Sequence, residues 1–490
     1  MHGHLPSTLI ALRRQILSGA RSVSEALQMQ RHMLANASSR WNCVTHIFPA
    51  GAAPESSLPL AGVGLAHKDI FAMRGRLPMC GSNSPIARSG RSAAVMHRLA
   101  GAGSEPLAAL GMAEFACGVT GENPNLPLPV NPLDATAAVG GSSSGSGVAV
   151  AAGLCYGSLC TDTAGSVRIP AATCGVLGLK TTAGLLPATG THPLAASLDT
   201  IGVMARSALD AAQIFAATLT AAQRKRMLPD FFFPGAPFAP PDSRLETGLP
   251  APESWRIAYC FSHPEPACTP SDPSASLLYQ CVKSYAKKGT LAEVSMNTLP
   301  ELIRCTNIVL HVEAAAIHGD ALHRQAGHGA DHADTGLGKP AYGLSDAMRR
   351  VVLPGAVIPA LWYRHALSAR RAHARAFIDT YFRGHDILLT PVLPQGVPDW
   401  AAVLTHSPQF QPRVLLGMFS WMAFVNYLGL PAIVCPIGHD DRGRPVCIQA
   451  IARPHAEALL LAFAHEIERE RFGVHGFIKH PPALRAPFSS

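Results

Sequence analysis

Between Val139 and Lys180 the chain reads VGGSSSGSGVAVAAGLCYGSLCTDTAGSVRIPAATCGVLGLK, and this stretch limits the possible folds more than any other. Glycine and serine at such density let a backbone turn closely and aim hydroxyl and N–H groups at one point. A flexible linker can share that composition, but the apolar segments on both sides do not have linker character. Buried framework around a site is the better reading. The run GSSSG at 141–145 also satisfies G-x-S-x-G, a strand-to-helix turn that would make Ser143 a nucleophile and require a later acid and histidine. That pattern is short, and with 22 histidines in the chain a downstream partner proves little. Neither G-x-x-x-x-G-K-S/T nor G-x-G-x-x-G occurs in this centre, which disfavours a nucleotide site.

Hydrophobic residues make up 48% and charged residues 15% of the 490, a balance that permits extensive buried surface and excludes a disordered chain. The length exceeds that of a usual single domain and fits one large α/β domain or a few smaller ones. The net charge of +8 comes from scattered lysines and arginines, so the basic stripe of a nucleic-acid surface is missing and no nucleic-acid partner is expected. The densest basic cluster, Arg370, Arg371 and Arg375, reads as the solvated face of an amphipathic helix. Twelve cysteines include no C-x-x-C pair, and Cys155, Cys174 and Cys435 sit in apolar runs, as buried reduced thiols do. The N-terminal residues lack the basic, apolar and small-residue order of a secretory signal, and no run of about 18 apolar residues appears. Neither secretion nor a membrane partner is therefore expected, and the cytoplasm is the expected location.

Residues 1–55 carry helical periodicity (Leu9, Leu12, Ile16, then Ala26, Met29, Met33) and predict an N-terminal helical layer. From Leu58 short apolar segments such as GVGLAH, GVLGLK and TIGVMA alternate with Ala-rich stretches, as in a sheet covered by helices on both faces. The Pro-rich run 229–243 predicts a loop, and helix follows from about 277 to 383 with a Gly- and His-rich interruption near 318–338. Strand texture returns at 385–394 and 430–438, so the sheet is expected to be completed from the C-terminal third. His311, Glu313, His318, His323, His328 and His332 raise a metal-binding reading. Only His328 and His332 have i, i+4 spacing, in a Gly-containing GHGADH that lacks the glutamate of H-E-x-x-H, so a solvated loop is preferred.

The stretches GGSSSGSGVAVAAG and TDTAGSVRIPAATCGVLGLK closely resemble the signature of the amidase-signature family. That family includes fatty-acid amide hydrolases, malonamidases, indoleacetamide hydrolases and the glutamine amidase subunit of transamidosomes. GVGLAHKDIF (62–71), EFACG with NP at 131–132, SLDTIGVMARSALDAA (197–212) and NYLGLPAIVCPIGHDDRGRPVCIQAIARP (426–454) are similar to further family segments in the same order. The resemblance implies one α/β/α domain over 1–490 with a mixed, twisted central sheet covered by helices on both faces. Within it, 1–55 would be the helical layer, 58–212 the signature core, 213–380 a variable, mainly helical region, and 385–480 the part completing the sheet.

By position, the family's nucleophilic serine falls on Ser166, its cis-peptide serine on Ser142 and its lysine base on Lys68. Ser142 and Ser166 stand 24 positions apart, as the family pattern requires, and that register selects Ser142 over Ser143. A lysine acts as base only when neutral, which burial favours, so Lys68 is expected to be buried at a strand end. The backbone of Thr163, Ala164, Gly165 and Ser166 resembles the family's oxyanion hole, with Asp162 and Arg168 as structural partners. Ala164, Ser144 and Cys160 depart from the family's usual glycines, and a positive φ at Ala164 would add strain.

The activity implied is hydrolysis of a carbon–nitrogen amide bond without cofactor or metal. A small-molecule amide is the expected partner, and a homodimer is left open. In the glutamine amidase branch an aspartate lies seven residues before the matching asparagine; here Phe419 stands seven before Asn426. That favours a neutral or apolar acyl group with Cys117, Phe419 and Trp421 at the pocket, although Arg350 lies in a family-like RR segment. The rival readings that remain are a metal-binding protein, a non-catalytic binding protein and the glutamine amidase component of a transamidosome-like complex.

Overall fold

The computed structural model describes residues 5–73, 75–83, 92–228, 255–265, 268–271, 274–286, 289–325, 343–473 and 477. The Pro-rich run, His328 and His332 lie outside these residues. Among the described residues, β1 (Val44–Ile47), β2 (Gly64–Lys68) and β3 (Glu105–Leu110) form a small sheet in the order β1-β3-β2. A larger sheet contains β4 (Gly157–Asp162), β5 (Leu177–Lys180), β6 (Thr200–Ala205), β7 (Arg256–Tyr259), β8 (Thr290–Glu293), β9 (Ile387–Pro391), β10 (Ala432–His439) and β11 (Pro445–Ile451). Its order is β4-β6-β5-β10-β11-β9-β7-β8. It is mixed: β7 runs parallel to β8 and β9, and the other neighbouring pairs are antiparallel.

The central strands are apolar at consecutive positions because both faces are buried. Along β10, Ile433, Cys435 and Ile437 join one apolar cluster while Ala432 and Val434 join the other, the period of two that a pleated strand imposes. The first cluster takes Ile214 and Phe215 of helix Ala208–Thr218 and Leu460 and Phe463 of helix Glu457–Arg471. The second takes Ile169 and Ala171 of helix Arg168–Thr173 and Phe424 and Val425 of helix Ala423–Leu428. The expected mixed sheet with helices on both faces is therefore present; β9, β10 and β11 join it from the C-terminal third, but β7 and β8, from the region 213–380, form one of its ends. The N-terminal periodicity also holds, since helix Leu9–Leu17 buries Leu9, Leu12 and Ile16, and helix Val23–Trp41 buries Ala26 and Met33.

Three expectations change. The helical stretch after 277 contains β8, and helix Leu299–Gln325 runs through 318, where an interruption was expected to begin. Arg371 and Arg375 are exposed as expected, but Arg370 turns inward and donates to the carbonyls of Tyr427, Ser197 and Asn426. Finally, much of the serine-glycine centre is a wholly buried helix, Ser144–Ala152. Its small residues serve close packing more than turning. A Cβ on Gly145 would stand 2.6 Å from the Cys43 carbonyl oxygen, and one on Gly147 would stand 2.8 Å from that of Pro170.

Because those neighbours are backbone atoms, Gly145→Val is expected to lower unfolding free energy by about 1–3 kcal/mol or more. Gly101→Ala, at a position where an added Cβ meets nothing within 4 Å, should stay within about 0.5 kcal/mol of wild type. Urea midpoints at constant m-value check both.

Candidate active site

Lys68 ends β2, and its side chain is 1% exposed. Leu159 of β4 donates its N–H to His67 Nδ1 at 3.1 Å, which ties β2 to the edge of the large sheet. Lys68 Nζ lies 2.7 Å from Ser142 Oγ, 3.0 Å from Thr161 Oγ1 and 3.4 Å from the Thr161 carbonyl. The Gly141–Ser142 peptide is cis. The Ser142 carbonyl accepts from Ala113 N–H at 3.0 Å, and Ser143 N–H donates to the Ser166 carbonyl at 3.3 Å, so this segment meets both β3's continuation and the second serine. Ser143 is wholly buried, and its hydroxyl donates at 3.5 Å to the Thr161 carbonyl that Lys68 Nζ also contacts.

Burial pushes the Lys68 ammonium down to about 8, while the carboxylates of Asp199 and Asp162 act in the opposite direction. A lowered lysine does not by itself mark a base. Burial also takes Lys180 down to about 7, yet its amine donates only to the carbonyls of Thr181 and Leu430. Lys68 differs in facing a hydroxyl that can pass a proton on.

The loop 163–166 is held by one carboxylate. Asp162 accepts from Gly165 N–H at 2.8 Å and from Val167 N–H at 3.0 Å, and pairs with the fully buried Arg168 at 2.9 Å. Burial alone would raise the Asp162 carboxyl, but Arg168, Lys180 and the Val167 N–H outweigh it and hold the group well below the usual carboxylate range. Arg168 extends the network to Gln449 at 2.7 Å, Asn426 at 2.6 Å and the Met422 carbonyl at 3.1 Å. The expectation that Asp162 and Arg168 hold this loop matches their geometry. Gly165 has φ 125°, and a Cβ there would stand 2.8 Å from that of Met422, so both conformation and packing call for glycine. Its N–H is committed to Asp162, which removes Gly165 from the expected set of oxyanion donors. Among the described residues no acceptor engages the N–H groups of Thr163, Ala164 or Ser166. Ala164 is not among the described residues with positive φ.

Ser166, Thr163 and Ala164 line a cavity of about 1100 Å³. Ser166 is 8% exposed there, whereas Ser142 and Lys68 do not line it. Cys117 lines the wall beside Ala116. Phe115 and Ala116 both have positive φ, 48° and 64°, a conformation that costs roughly 1–2 kcal/mol per residue and directs the chain into the wall. Burial pushes the Cys117 thiol up to about 12, so it remains neutral. Phe419 and Arg350 also line the cavity. Trp421 does not: it is fully buried, and its indole N–H donates to the Cys268 carbonyl at 2.8 Å, so the pocket assignment of this residue is corrected.

The histidine region disperses. His311 Nδ1 faces the Val351 carbonyl at 2.8 Å, Glu313 accepts from Ser197 and Tyr363, and His318 packs on Phe115 and His192. Nothing is described of the His323 side chain, and among the described residues no group of His, Cys, Asp and Glu could hold a metal ion. No helix among the described residues is long and apolar enough to cross a membrane. Sequence reasoning missed Thr161, Asp199, Gln449 and Asn426 as parts of this site. Gln449 carried a usable signal, being an amide inside the apolar strand PVCIQAI, where a buried polar group needs a partner.

The site thus joins a mixed sheet, a buried lysine–serine pair and a second serine at the wall of a cavity. The family model Amidase matches residues 41–461, and the chain belongs to the amidase-signature family of hydrolases acting on carbon–nitrogen amide bonds. It is 31% identical over 438 residues to a glutamyl-tRNA(Gln) amidotransferase subunit from Synechococcus sp. (strain WH7803), covering 86% of this chain and 85% of that protein. It is 30% identical over 414 residues to AtzE, the 1-carboxybiuret hydrolase subunit of Pseudomonas sp. (strain ADP), covering 82% of each. A crystal structure of an amidase superposes with TM-score 0.77 at 25% identity, covering 95% of this chain and 100% of that one. A 6-aminohexanoate cyclic dimer hydrolase shares the fold with TM-score 0.77 at 22% identity, covering 98% and 99%.

Removing one partner of a buried ion pair leaves an uncompensated charge. Arg168→Met is therefore expected to destabilise the fold by about 3–5 kcal/mol, read as a lowered denaturant midpoint.

Proposed function

We propose that this amidase hydrolyses a small acyl or aryl amide with a neutral or apolar acyl group through an acyl-enzyme on Ser166, with Ser142 and Lys68 as its proton relay. The observation that carries this reading is the 2.7 Å contact between Lys68 Nζ and Ser142 Oγ in a site closed to solvent, beside a Ser166 that borders the cavity. Neutral Lys68 takes the proton of Ser142 as Ser142 takes that of Ser166. The Ser166 oxygen bonds to the carbonyl carbon, and the displaced electron pair moves to the carbonyl oxygen, toward the N–H groups of Thr163, Ala164 and Ser166. Collapse breaks the carbon–nitrogen bond, and the amine leaves with a proton returned by Lys68 through Ser142. Water then adds to the ester, passes its proton along the same route, and releases the acid while Ser166 regains its hydrogen. No cofactor enters these steps.

Phe419 and Cys117 on the wall support an apolar acyl group. A second reading, a glutamine amidase working within a complex, draws support from Arg350, a cation in the same wall that can hold a carboxylate, and from relatives named as subunits. The cytoplasmic reading rests on twelve cysteines that are all buried and free.

Incubation with a panel of alkyl, aryl and amino-acid amides, glutamine included, tests the proposal by assay of both acid and amine. Ser166→Ala and Lys68→Ala are expected to lose at least about 10³-fold in kcat, and undiminished turnover by Ser166→Ala would refute the nucleophile. Efficient cleavage of glutamine alone would favour the second reading. Because the neutral amine is the active form and Lys68 lies near 8, kcat/KM should fall as pH drops through about 8. A flat profile across that range argues against Lys68 as base.

A further inference from the structure

Asp199 follows the loop 194–198 and reaches back toward the site from outside the serine motifs. Its Oδ1 accepts from the Thr163 hydroxyl at 2.6 Å, and its Oδ2 accepts from the N–H groups of Leu194 and Ala195 at 2.9 and 3.3 Å. Thr163 and Leu194 both line the cavity. The loop is itself clasped from the other side. Glu313, on helix Leu299–Gln325, accepts from Ser197 N–H at 2.9 Å, from the Ser197 hydroxyl, and from the Tyr363 hydroxyl at 3.0 Å. Arg370, on helix Ala360–Tyr381, donates to the Ser197 carbonyl at 2.8 Å and to the Asn426 carbonyl at 3.2 Å.

We propose that Asp199 is a positioning residue for the amidase reaction: it fixes Thr163 at the mouth of the Ser166 loop and supplies a negative charge to the surroundings of Lys68, while Glu313, through Ser197, keeps Asp199 in place. The inference rests on the reading of Lys68 as base and Ser166 as nucleophile. Geometry places Asp199 beside this amine, since Lys68 Nζ contacts Thr161 and Asp199 binds Thr163, two residues further along the chain; Cys160, Asp162 and Cys80 are the other ionisable groups around it. Asp162 is already paired with Arg168 and both sulfurs are thiols, which leaves Asp199 as the carboxylate without a cationic partner of its own among the described residues. Burial raises the Asp199 carboxyl to about 6, with the Thr163 hydroxyl and the two N–H groups opposing, so it is largely ionised where Lys68 titrates.

The sign of the effect follows directly. An anion near an ammonium favours the charged form, so removing it makes Lys68 easier to deprotonate. Asp199→Asn keeps an oxygen for the N–H groups of Leu194 and Ala195 and an amide N–H for Thr163, but carries no charge. Measured from about pH 5 to about pH 10 on an amide that wild type cleaves, its acid limb of kcat/KM should move down by about half a pH unit or more. A limb unmoved from wild type overturns the electrostatic role, because a merely structural residue would lower the rate without shifting it.

Glu313→Gln is expected to lower kcat about threefold or more with the limb in place, and wild-type kcat in that variant overturns the supporting role. If Asp199→Asn loses its cooperative thermal transition, Thr163→Val decides instead. It removes the hydroxyl and leaves the charge, so kcat should fall about tenfold at an unchanged limb, and wild-type kcat refutes the contact. Ser166→Ala is run alongside. Turnover in that variant sinks the underlying reading whatever Asp199 does, whereas an inactive Ser166→Ala with an unmoved Asp199→Asn limb sinks this inference alone.

Discussion

The Asp162–Arg168 pair is the interaction on which the rest of the site depends. Both side chains are fully buried, so their charges are tolerable only because every lobe of the carboxylate and most guanidinium donors are engaged. The carboxylate collects the N–H groups of Gly165 and Val167, which shapes the loop before Ser166. The guanidinium reaches Gln449 on β11 and Asn426 and Met422 near helix Ala423–Leu428, segments more than 250 residues away in sequence. One ion pair thereby joins the serine loop to the middle of the large sheet. Asn426 returns the connection by donating to the Asp162 carbonyl at 2.8 Å.

On this frame the chemistry of Lys68 is set by competition between desolvation and nearby anions. Lowering from 10.5 to about 8 corresponds to a differential of about 3 kcal/mol against the ammonium. Burial wins over the carboxylates, so the free amine is accessible near neutral pH, and the Ser142 hydroxyl lies 2.7 Å from it. Lys180 shows that burial without such a hydroxyl produces only a carbonyl-satisfied structural lysine.

Much of the fold was legible. Consecutive apolar residues in LPAIVCPIG and HDILLTP announced strands buried on two faces, and i, i+3/i+4 spacing announced the N-terminal helices. The helix Ser144–Ala152 was hidden because serine and glycine have poor helix propensity, and here tertiary packing overrides it: only side chains this small fit against the backbones of Cys43, Gly111 and Pro170. Strand β8, four residues with no buried position, carried no pattern to read. Arg370 was indistinguishable from Arg371 by spacing, and which of them faces carbonyls depends on the helix's rotation against Tyr427. Trp421 sat beside a true wall residue in sequence, but its indole N–H found an acceptor inside the core.

Resemblance to the family's motifs singled out Lys68, Ser142 and Ser166, and the order and register of those motifs are properties of the chain alone. Tertiary structure decided what surrounds them. It committed the Gly165 N–H to Asp162, left those of Thr163, Ala164 and Ser166 unengaged by described acceptors, removed Trp421 from the wall, and brought Asp199, Glu313 and Arg370 around one loop. Hydrogen bonds and burial join residues that are distant along the chain, and neither a donor's partner nor a side chain's solvent access exists until the sheets and helices have packed.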